Sequence, residues 1–156
     1  MRSPVISPID RLDEEHKAMI SLNQILEQEQ AHLIQADING LDSLIEEKNR
    51  IVARMAELAS ARHQLLAAAG YAASDTGMQS WLDRKGCHSD HWDALLSLAK
   101  SAREINRTNG LLINKHMTRN QQALDVLQGT APSSNFYGPN GQATSQVSTR
   151  RRLLAK

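Results

Sequence analysis

The sequence predicts an all-α fold: an elongated antiparallel helical hairpin plus a long third helix in a coiled-coil-like bundle, with a disordered C-terminal tail. Three observations carry this. Apolar residues recur at three-, four- and seven-residue spacing through most of the chain before Gly129, the mark of amphipathic helices. Aromatic residues make up only 3% of the 156 residues, fewer than a compact core usually takes, whereas long helices pack on narrow seams of Leu, Ile and Ala. From Gly129 the run GTAPSSNFYGPNGQATSQVST has no charge and buries too little apolar surface to offset its ordering entropy.

The first helix is predicted from Pro8. Ser7 can cap it, proline suits the first helical position, and Asp10 stands near the positive end of the dipole. Leu12, Met19, Leu26 and Leu33 recur every seven residues, Leu22, Ile25 and Ala36 widen the stripe, and the intervening heptad position carries His16, Asn23 and Gln30. Asp37-Ile38-Asn39-Gly40 is a break, with Asn39 as the next cap. The second helix runs from Leu41 to Ala69, roughly 43 Å at the α-helical rise. Its stripe is Leu41, Leu44/Ile45, Lys48, Ile51/Val52, Met55, Leu58/Ala59, Arg62 and Leu65/Leu66. A four-residue connection between two long helices implies an antiparallel hairpin.

Gly70 to Gly77 reads as a loop, with Ser74 or Asp75 capping a short helix that carries Met78, Trp81 and Leu82. Lys85-Gly86 ends it, a cation in the last turn followed by glycine. The last helix spans about Asp90 to Leu127. Residues 1–128 are thus the bundle domain and residues 129–156 a flexible tail.

Net charge is +1, unevenly placed. The last acid is Asp125, and beyond it stand Arg150, Arg151, Arg152 and Lys156. The body is mildly acidic, which argues against a nucleic-acid footprint there. No run approaches the roughly 20 apolar residues of a spanning helix, and the N-terminus lacks a signal-peptide core. A single cysteine, Cys87, fits a reducing compartment. The expectation is a cytoplasmic protein without direct membrane insertion.

Little points to catalysis. Cys87-His88-Ser89-Asp90-His91 holds ligand-type residues, but a structural zinc site takes four ligands, usually from two clusters, and the sequence offers no second one. The pairs Glu14-Glu15 and Glu46-Glu47 read as solvated helix faces. Phosphate-loop and nucleophile-elbow motifs are missing. The expectation is no enzyme, no cofactor and no metal.

Polar residues on apolar stripes are more informative: Lys48 and Arg62 on the second helix, Asn106 and Asn109 on the last. They either specify register, as a buried Asn does in coiled coils, or mark a seam open to water. Gly110 costs helix stability, for a close backbone crossing or a soft point. Beyond it the last helix is apolar on two sides. One row is Leu98, Ile105, Leu112 and Val126; the other is Ile113, Met117, Leu124 and Leu127. One docks on the bundle, and the second is predicted to be a surface for a client helix. In the tail, Phe136 and Tyr137 stand together where no core can hide them, which suggests a linear docking motif; folding back onto the bundle is the alternative.

With these residues in hand, a family resemblance is visible. Asn106-Arg-Thr-Asn-Gly-Leu-Leu resembles the N-x-x-N-G segment of FlgN proteins. Arg119-Asn-Gln-Gln-Ala-Leu-Asp-Val-Leu resembles the end of their long C-terminal helix. Asn135-Phe-Tyr-Gly-Pro-Asn-Gly-Gln resembles their aliphatic-Tyr-Gly-x-x-Gly-Gln tail motif, with Phe136 where an aliphatic residue is commoner. Asp37-Ile-Asn-Gly followed by Glu46-Glu47-Lys48 resembles their first hairpin. The resemblance implies a flagellar type III export chaperone. It would bind the C-terminal segments of the hook–filament junction proteins FlgK and FlgL through its C-terminal helical region, where the spacing makes Leu112, Ile113, Met117, Leu124 and Leu127 the expected client-binding residues. Phe136 and Tyr137 would dock on the cytoplasmic domain of the export gate protein FlhA, and export ATPase components are further candidate partners. The competing class is a structural coiled-coil adaptor or regulator that uses the basic tail.

Overall fold

The computed structural model describes residues 6–129, which form four helices and no strand: α1 (Leu12–Ile34), α2 (Leu41–Ala68), α3 (Asp75–Lys85) and α4 (Asp90–Leu127). This is the all-α fold the spacing predicts.

The first helix begins one turn later than expected. Asp10 Oδ2 accepts from the Ser7 N–H at 2.6 Å, and the Asp10 N–H bonds Ser7 O at 3.0 Å. The Asp10 carboxylate therefore closes a turn over residues 7–10, and Ser7 does not cap a helix. At the other end the stripe stops short of Ala36, which takes the left-handed conformation (φ 54°) just past the helix. The Asp37 N–H reaches His32 O at 3.0 Å, and the Ala36 N–H reaches Leu33 O at 3.3 Å, so the last carbonyls of α1 are satisfied by a Schellman turn.

Gly40, with φ 88°, replaces Asn39 as the cap residue of α2; the Asn39 N–H is held instead by Asp37 Oδ1 at 3.0 Å. Ser74 does cap α3, its Oγ accepting from the Gly77 N–H at 3.1 Å, and Gly86 (φ 63°) ends that helix after Arg84 and Lys85. Gly77 sits hard against the preceding loop. A Cβ there would lie 1.8 Å from Ala72 O, so only glycine lets the loop turn tightly into α3.

The core gathers Leu12, Met19 and Leu26 of α1, Leu66 of α2, Met78, Trp81 and Leu82 of α3, and Trp92, Leu95 and Ala102 of α4. Both tryptophans are buried, so the few large rings are spent where four helices meet. At about 25 cal/mol per Å² of apolar surface removed from water, this is the region that contributes most to stability.

Two charge pairs fix how α1 and α2 lie against each other. Glu15 on α1 meets Arg62 on α2, Nε to Oε1 at 3.0 Å, with both side chains 5% exposed. Glu29 meets Lys48 at 2.9 Å. Glu15 and Glu29 occupy the same heptad position, and so do their antiparallel partners, with Leu22 and Met55 packed against the core between them. A slip of one heptad would set both carboxylates on apolar side chains. Glu15 was expected on a solvated face and is buried instead; its opposite charge lies far away in sequence, so only the hairpin reveals the pairing.

The chain divides into two compact units, residues up to His116 and residues from Met117 onward.

Candidate functional site

Within the first unit, α4 runs parallel to α1 along a polar ladder. Asn23 Nδ2 donates to Leu98 O at 3.1 Å, Asn109 Nδ2 donates to Leu26 O at 2.9 Å, and the His116 Nε2–H donates to Leu33 O at 2.6 Å. Three side-chain donors reach carbonyls of the facing helix. Because an amide or imidazole meets a carbonyl only at one offset, the ladder specifies register. Asn109 is 1% exposed and its Oδ1 has no partner among the described residues, so it is retained at an energetic cost. Asn106, expected beside it on the seam, is exposed: three residues turn it about 60° off the contact line. Gly110 is not a close crossing, since a Cβ there would meet nothing within 4 Å.

The environment of the apolar residues of α4 changes along the helix. Leu98 and Ile105 pack against the core. Leu112 is half-buried. In the same unit Leu111 is 57% and Ile113 39% exposed. In the second unit Met117 is 65%, Leu124 49%, Val126 75% and Leu127 83% exposed. These are large side chains held open to water on a regular helix, whose end is tied by the Gln128 N–H to Leu124 O at 2.9 Å. Gln121 Nε2 donates to Asp125 Oδ1 at 2.9 Å on the same stretch. Phe136, Tyr137 and Arg150–Arg152 lie outside the described residues.

The histidine loop disperses. Cys87 is exposed and its Sγ–H meets Lys85 O at 3.7 Å. His88 Nε2 sits 3.2 Å from Asp90 and 3.3 Å from Asp93, at the start of α4. His91 turns instead to His16 of α1, ring centroids 5.4 Å apart at 67°. Among the described residues no group of three or more His, Cys, Asp or Glu could hold a metal ion. Nearby, the hydrogen bond from the Lys17 ammonium holds the Asp13 carboxyl below its ordinary range, and Asp13 in turn raises Lys17. Among the described residues no helix is long and apolar enough to cross a membrane.

Sequence reasoning missed Glu15, Glu29 and His116. Each carries a polar group into a seam, but each gains its meaning from a partner on another helix. His116 follows Asn109 by seven residues on α4, and nothing local points to the Leu33 carbonyl it binds.

The exposed apolar residues of α4 are the candidate binding face. No solved structure matches. The chain is 31% identical over 144 residues to the flagella synthesis protein FlgN of Yersinia enterocolitica, covering 91% of this chain and 92% of that protein. It is 30% identical over 117 residues to the protein of the same name from Proteus mirabilis, covering 75% of each. Against the flagella synthesis protein FlgN of Escherichia coli K12 the identity is 27% over 136 residues, 86% of this chain and 88% of that one. The profile of the FlgN protein family matches residues 4–145, from the turn before α1 through the Asn135–Gln142 tail motif, and the chain belongs to that family.

Proposed function

We propose that this protein is a cytoplasmic export chaperone, not an enzyme, that holds flagellar hook–filament junction proteins of the FlgK and FlgL type and delivers them to the export gate. The observation that supports this best is the exposed apolar row at the end of α4. Ile113, Met117, Leu124 and Leu127 face water, as does Val126 of the neighbouring row, whose earlier members Leu98 and Ile105 pack against the core. A soluble helix keeps such a row open at the cost of hydrating it, which is understandable if a client helix covers it. Leu112, half-buried, stands at the edge of that surface. Phe136 and Tyr137 dock on the cytoplasmic domain of FlhA, as the family tail motif implies.

Met117→Asp with Leu124→Asp tests the client face. Purified client capture is expected to fall by two orders of magnitude or more, because each carboxylate would have to be desolvated against an apolar partner. Helix content should stay unchanged, since neither side chain is core. Collapse of helicity, or full capture by the double variant, refutes the assignment. Tyr137→Ala should spare client capture and lower affinity for the gate domain by an order of magnitude or more.

A further inference from the structure

Buried side-chain polar atoms without partners are rare among the described residues: only Arg62 Nη1, His63 Nε2 and Asn109 Oδ1 qualify. The first two belong to residues that line one groove, about 210 Å³, between α2 and α4, with Met19 of α1 in its floor and Ala59 and Leu96 on its walls. The rest of the Arg62 head is committed. Its Nε–H donates to Glu15 at 3.0 Å, its Nη2 stands 3.6 Å from Asp75, and its face lies over the Trp92 ring. These contacts hold Nη1 in place and leave its two N–H groups unused. The Trp92 indole does not serve them, since it is itself a donor, bound to Gln79.

The faces of the groove continue along both helices. Ala99 lines it on α4. Val52 lies seven residues from Ala59 and Gly110 eleven from Ala99, so each stands within about 20° of the same face of its helix. Val52 is 48% exposed. A glycine in mid-helix costs stability, and nothing inside the chain uses the space at Gly110, where a Cβ would meet no atom within 4 Å. A further helix laid along the groove from Arg62 toward Gly110 would use it, because glycine lets two backbones approach closely. The eleven residues from Ala99 to Gly110 span about 16 Å, three helical turns.

Charge selects what that helix carries. The guanidinium is already met by Glu15 and Asp75, so a further carboxylate would be repelled by both, and a cation by Arg62. An apolar side chain would leave both buried atoms unpaired. A neutral amide fits. Its oxygen accepts from Arg62 Nη1, and its NH2 donates to His63 Nε2 when that nitrogen is the acceptor; in the other tautomer the oxygen takes the His63 N–H. We infer that the groove is a second docking site, filled by a partner helix of about three turns whose apolar face carries one Asn or Gln against Arg62 and His63. Every residue invoked precedes Met117, so this site stands or falls separately from the client face at the end of α4.

The probes are peptides of about sixteen residues, long enough to form helix, with Leu and Ala at three-four spacing and one Gln at the centre of that face. Matched sets carry Glu or Leu in place of the Gln. Heteronuclear NMR of the full chain reads the Trp92 indole N–H and the His63 ring nitrogens. The Gln peptide is expected to move both saturably, and the Glu and Leu peptides should bind about tenfold more weakly. Val52→Asp charges one wall and Gly110→Leu fills the groove. Val52 is exposed and Gly110 borders open space, so helix content should stay unchanged while each variant binds the Gln peptide about tenfold more weakly. Met117→Asp with Leu124→Asp should bind it as the parent does. Equal affinity for the three peptides, undiminished affinity in both groove variants, or no response at millimolar peptide overturns the inference. Loss of binding in the Met117→Asp, Leu124→Asp protein also overturns it, since the peptide would then sit on the client face. So does movement of the two signals with protein concentration alone, which would give the groove to a second copy of the chain.

Discussion

Arg62→Met isolates the contribution of the buried charge pair. Methionine keeps most of the length and apolar stem of arginine, so packing changes little while Glu15 loses its counter-charge. Both side chains are 5% exposed, and water cannot replace the partner. Stranding a buried carboxylate in this way costs about 3–5 kcal/mol. Loss of the guanidinium over the Trp92 ring, 4.8 Å from its centroid, adds about 0.5–2 kcal/mol. The contact to Asp75 at 3.6 Å contributes little, because that carboxylate is 66% exposed. Urea unfolding followed by circular dichroism is the assay. With a slope of about 1–3 kcal/mol per molar, the midpoint should drop by about 1 M or more. The double variant Glu15→Leu with Arg62→Met removes both charges and should recover most of the loss. A single variant within about 1 kcal/mol of the parent, or a double variant as unstable as the single, refutes the argument that this pair is buried and coupled.

Gly77→Ala and Gly110→Ala should move in opposite directions in the same assay. The first drives a Cβ into the Ala72 backbone and destabilises by about 1–3 kcal/mol. The second enters open space in mid-helix and stabilises by up to about 1 kcal/mol. Asn109→Asp places a carboxylate against the Leu26 carbonyl; thermal melting at neutral pH should fall far below the parent, by several kcal/mol. That gap should narrow near pH 4 as the new acid protonates, because burial raises its pKa above the unfolded value near 3.9. Asp13 behaves in the reverse sense: Lys17 lowers its folded pKa below 3.8, so its small stabilising effect is present above that value and lost as pH falls through the folded one. Carboxyl NMR titration should show Asp13 returning toward its ordinary range in Lys17→Ala.

The sequence by itself determined the helices. Periodicity, the Asn-Gly break, Ser74 and the Lys85-Gly86 ending are local signals, read within a turn or two of where they act, and they located α2, α3 and α4 closely. Local chemistry misled at three helix ends, the α2 cap (Gly40 in place of Asn39) among them. Asp10 folds back on Ser7 and delays α1, and Ala36 takes a left-handed cap that its identity does not advertise. The family, too, was legible, since its motifs are short runs in one order. What only the tertiary structure decided is which polar residue faces which helix. Glu15 looks like Glu14 until Arg62 arrives from the other arm of the hairpin, and Asn109 looks like Asn106 until the Leu26 carbonyl meets one of them. The same holds for the apolar residues of α4: spacing showed two rows, and only packing showed that Leu98 and Ile105 are used internally while Met117, Leu124 and Val126 are not. The physical reason is that a helix is written in contacts a few residues apart, whereas burial, pairing and exposure depend on partners tens of residues away.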